Sequence, residues 1–262
     1  TVKTKTQEFK SKELIISTGS SGKIWQYLHQ LGHEIIAPVP SLFTFNIQHE
    51  HLTALQGLSL ETEIKLYASN SDKHQDHGSY GGAFVTHWGL SGPCVLKLSA
   101  WGATQLNNLD YKFAIKVNWL PGFSFEDLIT QLQSLKSEQP KKQVSNQNLF
   151  DLPKRFWLFA LAEAEVDLFK NWGDLSKIEL RSIGQVLNAF SVEVNGKSTF
   201  KEEFVTAGGV SLKEIDFKTF KSKKLPHLKI LGEALNIDAI TGGFNFQNAW
   251  TSAYIAAQSY QR

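Results

Sequence analysis

The 262-residue sequence contains no methionine and only one cysteine, Cys94. A single cysteine excludes an internal disulfide and fits a reducing compartment, so we expect a cytoplasmic protein. Chains rich in leucine, isoleucine and phenylalanine normally use some methionine in the core, yet here even position 1 is threonine. We therefore expect a processed or excised fragment. Loss of modified methionines from the written sequence is an additional explanation, which an intact mass of 29.4 kDa would refute.

Long apolar runs and an excess of one charge are also absent. No stretch is apolar for long enough to span a bilayer, and Thr1–Thr6 lacks the apolar core of a signal peptide, so we predict neither membrane insertion nor export. The net charge of +2 is too small to attract nucleic acid strongly, and we expect no nucleic-acid partner. With 42% hydrophobic and 20% charged residues, the chain predicts a globular protein of about two domains.

The first forty residues show a strand, turn and helix pattern. Glu13–Ser17 is a short apolar run typical of a buried parallel strand, and apolar residues at helical spacing follow over Lys23–Leu31. His33–Ala37 predicts a second strand. Pro38 and Pro40 then indicate that the chain leaves this layer.

The end of the chain carries the strongest functional signal. Leu228–Leu231 predicts a strand that runs into Gly232 and Glu233, and the segment Thr241–Asn245 opens a predicted helix through Gln258. Paired glycines at a helix start expose backbone N–H groups and the positive end of the helix dipole, which favour an anionic ligand. We expect the two chain ends to form one α/β layer.

The middle of the chain changes period twice. Alternation from Leu42 to Trp119 predicts a sheet or small barrel, with a helix over Pro93–Leu106. Apolar spacing from Ser124 to Asn188 predicts a helical insertion, whose first cap is the pair Ser124 and Asp127 and whose later cap is Ser176 and Glu179. Alternation returns over Ala189–Val205, where Asn195-Gly196 predicts a hairpin turn.

Other residues have both a functional and a structural interpretation. His87 and Trp88 are candidates for the substrate side, although a structural histidine is the more common case. A metal site at His74, Asp76 and His77 has no established spacing, so we predict no metal. Cys94 at a helix start is more simply a buried, inert thiol. Four lysines form a basic stretch that could contact a nucleotide phosphate or lie on a solvated surface loop; they are Lys218, Lys221, Lys223 and Lys224.

The segment Gly232–Trp250 reads Gly-Glu-x-Leu-x-x-Asp-x-x-Thr-Gly-Gly-Phe-Asn-x-Gln-x-Ala-Trp. It resembles the C-terminal signature of the aminoacetone-oxidase-like (BaiN/YhiN-like) bacterial family of NAD(P)/FAD-dependent oxidoreductases. Supporting matches lie at Leu31–His33, Thr86–Pro93 and Glu203–Val210, so the resemblance covers nearly the whole chain.

The resemblance implies a multidomain α+β fold, in which a partial FAD-binding, Rossmann-like layer is interrupted by a β-barrel insert that itself carries a helical-bundle insert. The implied boundaries are 1–39 and 204–262 for the FAD-binding domain, 40–120 and 189–203 for the barrel, and 121–188 for the helical insert.

The same resemblance assigns cofactor contacts. Gly232 and Glu233 would meet the ribityl and pyrophosphate region of FAD, and Thr18 and Gly19 would lie near the dinucleotide. The residues implied at the isoalloxazine edge belong to the glycine-pair motif; they are Gly242, Gly243, Phe244 and Asn245. Thr241, just before them, is a further implied cofactor contact. A small-molecule substrate and NAD(P)H are the implied partners, and no catalytic residue is assigned.

One part of the family pattern is missing. No Gly-x-Gly-x-x-Gly segment, which would hold the FAD pyrophosphate, precedes Leu14. We therefore expect this polypeptide to bind FAD weakly or not at all. The alternative function is a non-catalytic module that binds a substrate or partner without redox activity.

Overall fold

The computed structural model describes residues 1–67, 78–146, 150–198 and 205–260. The chain divides into two compact units: unit 1 joins Thr1–Leu42 to Phe200–Arg262, and unit 2 is Phe43–Thr199. In the part that the structure describes, no helix is both long and apolar enough to cross a membrane. The finer domain boundaries inferred from the sequence stay predictions.

The helices and strands follow one another in mixed order. The first part of unit 1 contains β1 (Val2–Lys3), β2 (Glu8–Phe9), β3 (Leu14–Ile16), α1 (Gly22–Gln30) and β4 (Ile35–Ser41). Unit 2 contains β5 (Thr44–Asn46), α2 (Glu50–Thr53), β6 (Ser59–Tyr67), β7 (Gly78–Thr86), β8 (Gly89–Ser91), α3 (Pro93–Trp101), α4 (Ala103–Asn108), β9 (Lys112–Asn118), α5 (Phe125–Glu138), α6 (Lys154–Glu163), α7 (Lys177–Ala189), β10 (Phe190–Asn195) and β11 (Lys197–Ser198). Unit 1 resumes with β12 (Val205–Val210), β13 (Ile215–Asp216), β14 (Lys221–Ser222), β15 (Leu228–Ile230) and α8 (Phe244–Gln258).

The four-stranded sheet of unit 1 joins the two ends of the chain. Its order is β13-β14-β15-β3, and β15 pairs with β3 in parallel, with Leu228 opposite Leu14 and Ile230 opposite Ile16. The parallel strand predicted near Leu14 is therefore confirmed, but its predicted burial was wrong, since Leu14 and Ile16 are partly buried and Ile15 is exposed. Because parallel strands end at the same edge of a sheet, the residues after Ile16 and those after Ile230 emerge side by side.

Helices α1 and α8 share one hydrophobic cluster with this sheet. Trp25 of α1 is buried and donates its indole N–H to the Ala234 carbonyl at 2.9 Å. The buried Lys229 of β15 donates to the Ala256 carbonyl at 2.9 Å, near the end of α8, where the helix dipole favours a cation. Burial lowers the pKa of the Lys229 ammonium. These two bonds fix the helices relative to β15 and its following turn.

Strands β4 and β12 form a separate two-stranded antiparallel ribbon. Pro38 and Pro40 lie inside β4, which is not part of the β3 sheet, and the first part of unit 1 ends just after them at Leu42. The register shifts between Ala207 and Gly209, and a Cβ on the intervening Gly208 would lie 2.6 Å from the Cα of Pro38. Gly208 has a φ of +113°, and the bulge at this glycine makes room for a proline within the strand.

Unit 2 contains a seven-stranded antiparallel sheet in the order β10-β9-β6-β7-β8-β5-β11. Its outermost strands, β10 and β11, are separated in the chain only by Gly196, whose φ is +145°. The predicted hairpin at Asn195-Gly196 was wrong, because β10 pairs with β9 and β11 pairs with β5. One bent segment thus borders both edges of the sheet. The ladder of the described strands does not close, and a β-barrel stays a prediction.

Helices α5, α6 and α7 share one hydrophobic core with this sheet. Both predicted capping boxes are present: Ser124 and Asp127 cap α5, and Ser176 and Glu179 cap α7. The predicted helix over Pro93–Leu106 is two helices, since the chain breaks between α3 and α4 at Gly102. The protein is therefore a mixed α and β structure with several sheets.

Candidate functional site

A cavity of about 260 Å³ opens where β3 and β15 end. We call it the strand-end cavity; its lining residues are Ser17, Gly19, Leu231, Gly232, Glu233, Asn245, Phe246, Ala249 and Ala253. Four residues predicted to contact a cofactor from distant parts of the chain therefore meet here. Ligands of α/β layers bind in this position, beyond the carboxyl ends of the strands.

Two glycines shape the strand-end cavity. Gly19 has a φ of +63° and Gly232 a φ of +60°, which side chains other than glycine rarely adopt. A Cβ on Gly19 would lie 4.0 Å from Oε2 of Glu233, and one on Gly232 would lie 3.6 Å from the Cβ of Ala249. Glycine at these two positions allows the turns to adopt a positive φ, and it leaves the space that two Cβ atoms would occupy free for a ligand.

Among the described residues of this lining Glu233 alone is acidic, and its side chain is partly buried. The described structure records no hydrogen bond or ion pair for its carboxylate. A carboxylate in this position can accept hydrogen bonds from ligand hydroxyls. By contrast, the backbone N–H of Gly232 is already used, because it donates to Oγ of the buried Ser252 at 3.1 Å.

Helix α8 begins beside the strand-end cavity. Gly243 is its N-cap with a left-handed φ of +83°, and no described side chain caps the first turn. The first-turn N–H groups therefore remain available to an acceptor. Asn245 has a structural role as well, since its side-chain amide exchanges two hydrogen bonds of 2.9 Å with the backbone of Ala239.

Some predicted contacts do not line this cavity. Thr18 is exposed beside Gly19, and Phe244 is 54% exposed at the start of α8. Thr241, Gly242 and Gly243 are also exposed and lie outside the lining. Their proposed contacts with a cofactor stay predictions.

The strand-end cavity fits part of an FAD molecule. The glycines, the unpaired carboxylate and the uncapped helix start suit a sugar and phosphate chain. A volume of about 260 Å³ is below the usual size of a pocket that encloses a drug-sized ligand, and FAD is larger than such ligands. These residues would hold a portion of the cofactor rather than surround it.

The basic stretch is mostly engaged within unit 1. Lys221 lies 2.6 Å from a Glu13 oxygen, and Lys224 lies 2.6 Å from a Glu214 oxygen. Lys223 donates to a backbone carbonyl. Lys218 instead lines a separate cavity of about 490 Å³. The phosphate role is thus weakened for three of the four lysines.

His87 and Trp88 lie in unit 2, at the turn between β7 and β8. Their rings are 4.3 Å apart at 82°, and the Trp88 indole N–H donates to Oγ1 of Thr44 at 3.3 Å. They line an open groove of about 630 Å³, which we call the amide groove; its residues are Asn46, Ile47, Gln48, His49, Glu50, Thr53, His87, Trp88 and Asn195.

Sequence reasoning missed a carboxylate and two imidazoles beside the amide groove. Glu163 lies 3.2 Å from Nε2 of His49 and 2.8 Å from Nδ1 of His51. The His-Glu-His spacing at residues 49–51 was the available signal, but nothing local links it to Glu163. Among the described residues no group of three or more His, Cys, Asp or Glu forms a metal site. The candidate metal residues His74, Asp76 and His77 lie outside the described ranges.

Cys94 is fully buried in α3, and its thiol donates to the Ser79 carbonyl at 3.0 Å. Burial raises the pKa of this thiol. The interpretation as an inert structural cysteine is supported by this environment.

Comparison with known proteins identifies relatives along most of the chain. Residues 39–205 match the family model described as HI0933-like protein barrel and H2TH domain. The chain is 30% identical to the ribosomal RNA dihydrouridine synthase of Haemophilus influenzae, over 97% of this chain and 62% of that protein. It is 26% identical to the protein of the same name in Escherichia coli, over 94% of this chain and 60% of that protein. Identity to the 3-dehydro-bile acid delta(4,6)-reductase of Clostridium scindens is 24%, over 93% of this chain and 58% of that protein.

Proposed function

The chain belongs to the HI0933-like family, and on that premise we propose that it forms part of an FAD-dependent oxidoreductase. The proposed reaction is hydride transfer between the flavin and a small unsaturated substrate, with NAD(P)H as the reductant. One observation supports the proposal above all others: Gly19, Gly232 and Glu233 line the same cavity, at the ends of two parallel strands.

The names of the relatives support a common type of reaction. Dihydrouridine differs from uridine by two hydrogens across a ring double bond conjugated to a carbonyl, and a delta(4,6)-reductase acts on ring double bonds. When bound, FAD supplies hydride-transfer chemistry. The role proposed for this chain is to bind the cofactor through Glu233, the Gly19 and Gly232 turns and the start of α8.

The substrate has two candidates. We propose a small molecule as the general class. The names of the two relatives with 30% and 26% identity favour a uridine base in RNA as the specific alternative. This alternative departs from the expectation, drawn from the net charge of +2, that the chain has no nucleic-acid partner. The non-catalytic binding module remains the rival function, because this chain spans only about 60% of the length of those relatives.

The experiment compares FAD binding by this chain alone with FAD binding by the chain joined to an N-terminal segment that carries Gly-x-Gly-x-x-Gly, which we call the longer protein. We expect this chain to quench flavin fluorescence only at FAD concentrations of about 100 μM or more, and the longer protein to copurify with flavin. Glu233→Gln in the longer protein should weaken FAD binding by about tenfold, because a charged acceptor is lost. Glu193→Gln, at an exposed position of β10, is the matched control.

The proposal fails if the longer protein binds no flavin. Unchanged flavin affinity in the Glu233→Gln variant would remove this cavity from the cofactor site. NAD(P)H consumption by the flavin-loaded longer protein separates the oxidoreductase from the binding module.

A further inference from the structure

We propose that the outward face of α8 is a docking site for a helix, namely the helix that follows the Gly-x-Gly-x-x-Gly turn in the longer protein. Such a turn opens a helix in dinucleotide-binding layers. This inference rests on the proposed function, because it names the part of the polypeptide that completes the cofactor site. It concerns unit 1 alone.

Helix α8 has the composition of a helix enclosed between two layers. Its 15 residues include no charged side chain. A surface helix normally turns charged or polar residues towards water, as α1 does with the exposed Lys23 and α5 does with the exposed Glu126. A long helix without charges is typical of one that is packed on more than one side.

The side of α8 that unit 1 buries is the one with small residues. Ser252 and Ala256 are buried, whereas Phe246, Trp250 and Tyr254 are 68%, 67% and 66% exposed. At 100° per residue, these three aromatic residues lie on the side opposite Ser252. The usual arrangement of an amphipathic helix is thus reversed, and the larger apolar surface faces outward.

The exposed side has the relief of a helix-packing surface. We call Phe246, Trp250 and Tyr254 the aromatic row; they are spaced by four residues, and the Phe246 and Trp250 rings stack at 6.2 Å and 28°. The exposed Ala253 and Ala257 form a second row beside it. Rows at four-residue spacing are the ridges and grooves through which one helix packs on another. The face is therefore shaped for a helix.

The area of the aromatic row favours a helix of the longer protein over a second copy of this chain. An aromatic side chain has an area of about 150–250 Å², so three that are two-thirds exposed present about 300–500 Å². A stable interface between two proteins buries about 800 Å² on each partner. A helix joined covalently to the chain needs less area, because the linkage gives it a high effective concentration.

The lengths of the relatives leave room for this helix. The chain spans 62% of the Haemophilus influenzae protein and 60% of the Escherichia coli protein. Both relatives therefore contain polypeptide beyond the matched part, in an amount that far exceeds one helix.

The aromatic row begins beside the strand-end cavity. Phe246 lines that cavity, and Gly243 is the N-cap of α8 next to it. A helix after Gly-x-Gly-x-x-Gly directs its first N–H groups at a pyrophosphate. A helix seated on α8 in parallel orientation would place its start beside the start of α8. The two helix starts would then share the cofactor, of which the cavity of about 260 Å³ alone holds only a portion.

The test measures how accessible the outward face is in this chain and in the longer protein. Ala257→Cys introduces a thiol on this face, while Cys94 is buried and stays unreactive in the native state. We expect a maleimide to label position 257 rapidly in this chain and about tenfold more slowly in the longer protein, because the docked helix covers it. Gln131→Cys, at an exposed position of α5, is the control and should react equally in both.

A second substitution tests the aromatic row itself. Trp250→Gln removes the central ring and should raise the labelling rate at position 257 of the longer protein by about fivefold, because the docked helix loses its main apolar contact. Phe84→Gln on β7 is the matched control, since Phe84 is also an exposed aromatic residue but lies in unit 2. Thermal unfolding of all variants verifies that the fold is retained.

The proposal is overturned if position 257 reacts at the same rate in both proteins, or if Trp250→Gln changes the protection no more than Phe84→Gln does. Slow labelling of this chain alone, in samples that are dimeric by size-exclusion chromatography, would assign the face to a second copy and also overturn it. The labelling needs no flavin. Protection of position 257 in a longer protein that binds no flavin would therefore remove the proposed function and leave the docking site, whereas flavin binding without protection would do the reverse.

Discussion

The ammonium of Lys170 lies 2.8 Å from Oε1 of Glu179. This hydrogen bond, followed by the one from the Ser176 backbone N–H, lowers the pKa of Glu179 to about 2. The carboxylate of Glu179 is also the reciprocal half of the capping box of α7. One side chain thereby stabilises the helix start and connects it to the preceding loop.

Glu179→Gln should lower the free energy of unfolding by about 1 kcal/mol at neutral pH, because the charged cap partner is lost. The folded-state pKa lies below the unfolded value of 4.5, so the stabilisation is present above pH 4.5 and disappears as the pH falls towards about 2. Urea unfolding at several pH values measures this difference. Glu193→Gln is the control, and equal stability of the two variants at pH 7 would contradict the prediction.

Gly19→Ala should reduce flavin binding by the longer protein several-fold, because alanine is strained at a φ of +63° and its Cβ would approach Glu233. Gly22→Ala is a matched control, since Gly22 has no atom within 4 Å of an added Cβ and starts α1. Flavin titration of both variants measures the effect. Equal affinities would show that the Gly19 turn does not shape the cofactor site.

Asn245→Ala should loosen the loop before α8, because the Ala239 backbone loses both of its bonds to the Asn245 side chain. We expect faster amide hydrogen exchange in residues 236–243, while exchange at β15 stays unchanged. Gln247→Ala in the same helix turn is the control. Unaltered exchange in this loop would mean that other contacts hold it.

Gly89→Ala should abolish or severely reduce folding of unit 2. Its φ is +143°, and a Cβ would lie 2.2 Å from the Phe45 carbonyl oxygen and 2.7 Å from the Ile47 nitrogen. Rigid strand backbone cannot move away without breaking the β5 and β8 pairing. Gly122→Ala, where an added Cβ meets nothing within 4 Å, should fold normally. Soluble yield and thermal unfolding compare the two, and a normally folded Gly89→Ala protein would contradict the strand geometry.

Cys94 should react with a thiol reagent only after unfolding, because its side chain is fully buried and burial raises its pKa. Absorbance of released thionitrobenzoate in native and urea-unfolded samples measures the difference. Rapid labelling of the native protein would show that α3 opens readily.

Local signals were enough to predict much of the secondary structure. The capping residues Ser124 and Ser176 and the glycines before Phe244 act on the turn next to them, and each begins a helix as predicted. The same reasoning failed at Asn195-Gly196. These residues suit a hairpin locally, but β9 and β5 pair with the two sides of Gly196, and that pairing is decided by distant residues.

One candidate site could be predicted from the sequence and the other could not. Gly19 and Glu233 could be placed together because the strands before them follow the rule for parallel sheets. Glu163 could not be linked to His51, which lies 112 residues away on another helix and carries no pattern in common with it. Contacts between side chains on elements that are distant in the sequence can be identified only from the three-dimensional structure.

The prolines of the β4 and β12 ribbon have a consequence for the protein in concentrated solution. Pro38 and Pro40 occupy alternate positions of β4, and a proline tolerated in a strand turns its nitrogen away from the paired neighbour. The outer margin of β4 therefore lacks two amide donors that an incoming chain would need. Intermolecular strand addition, a common first step of aggregation, is disfavoured at this margin.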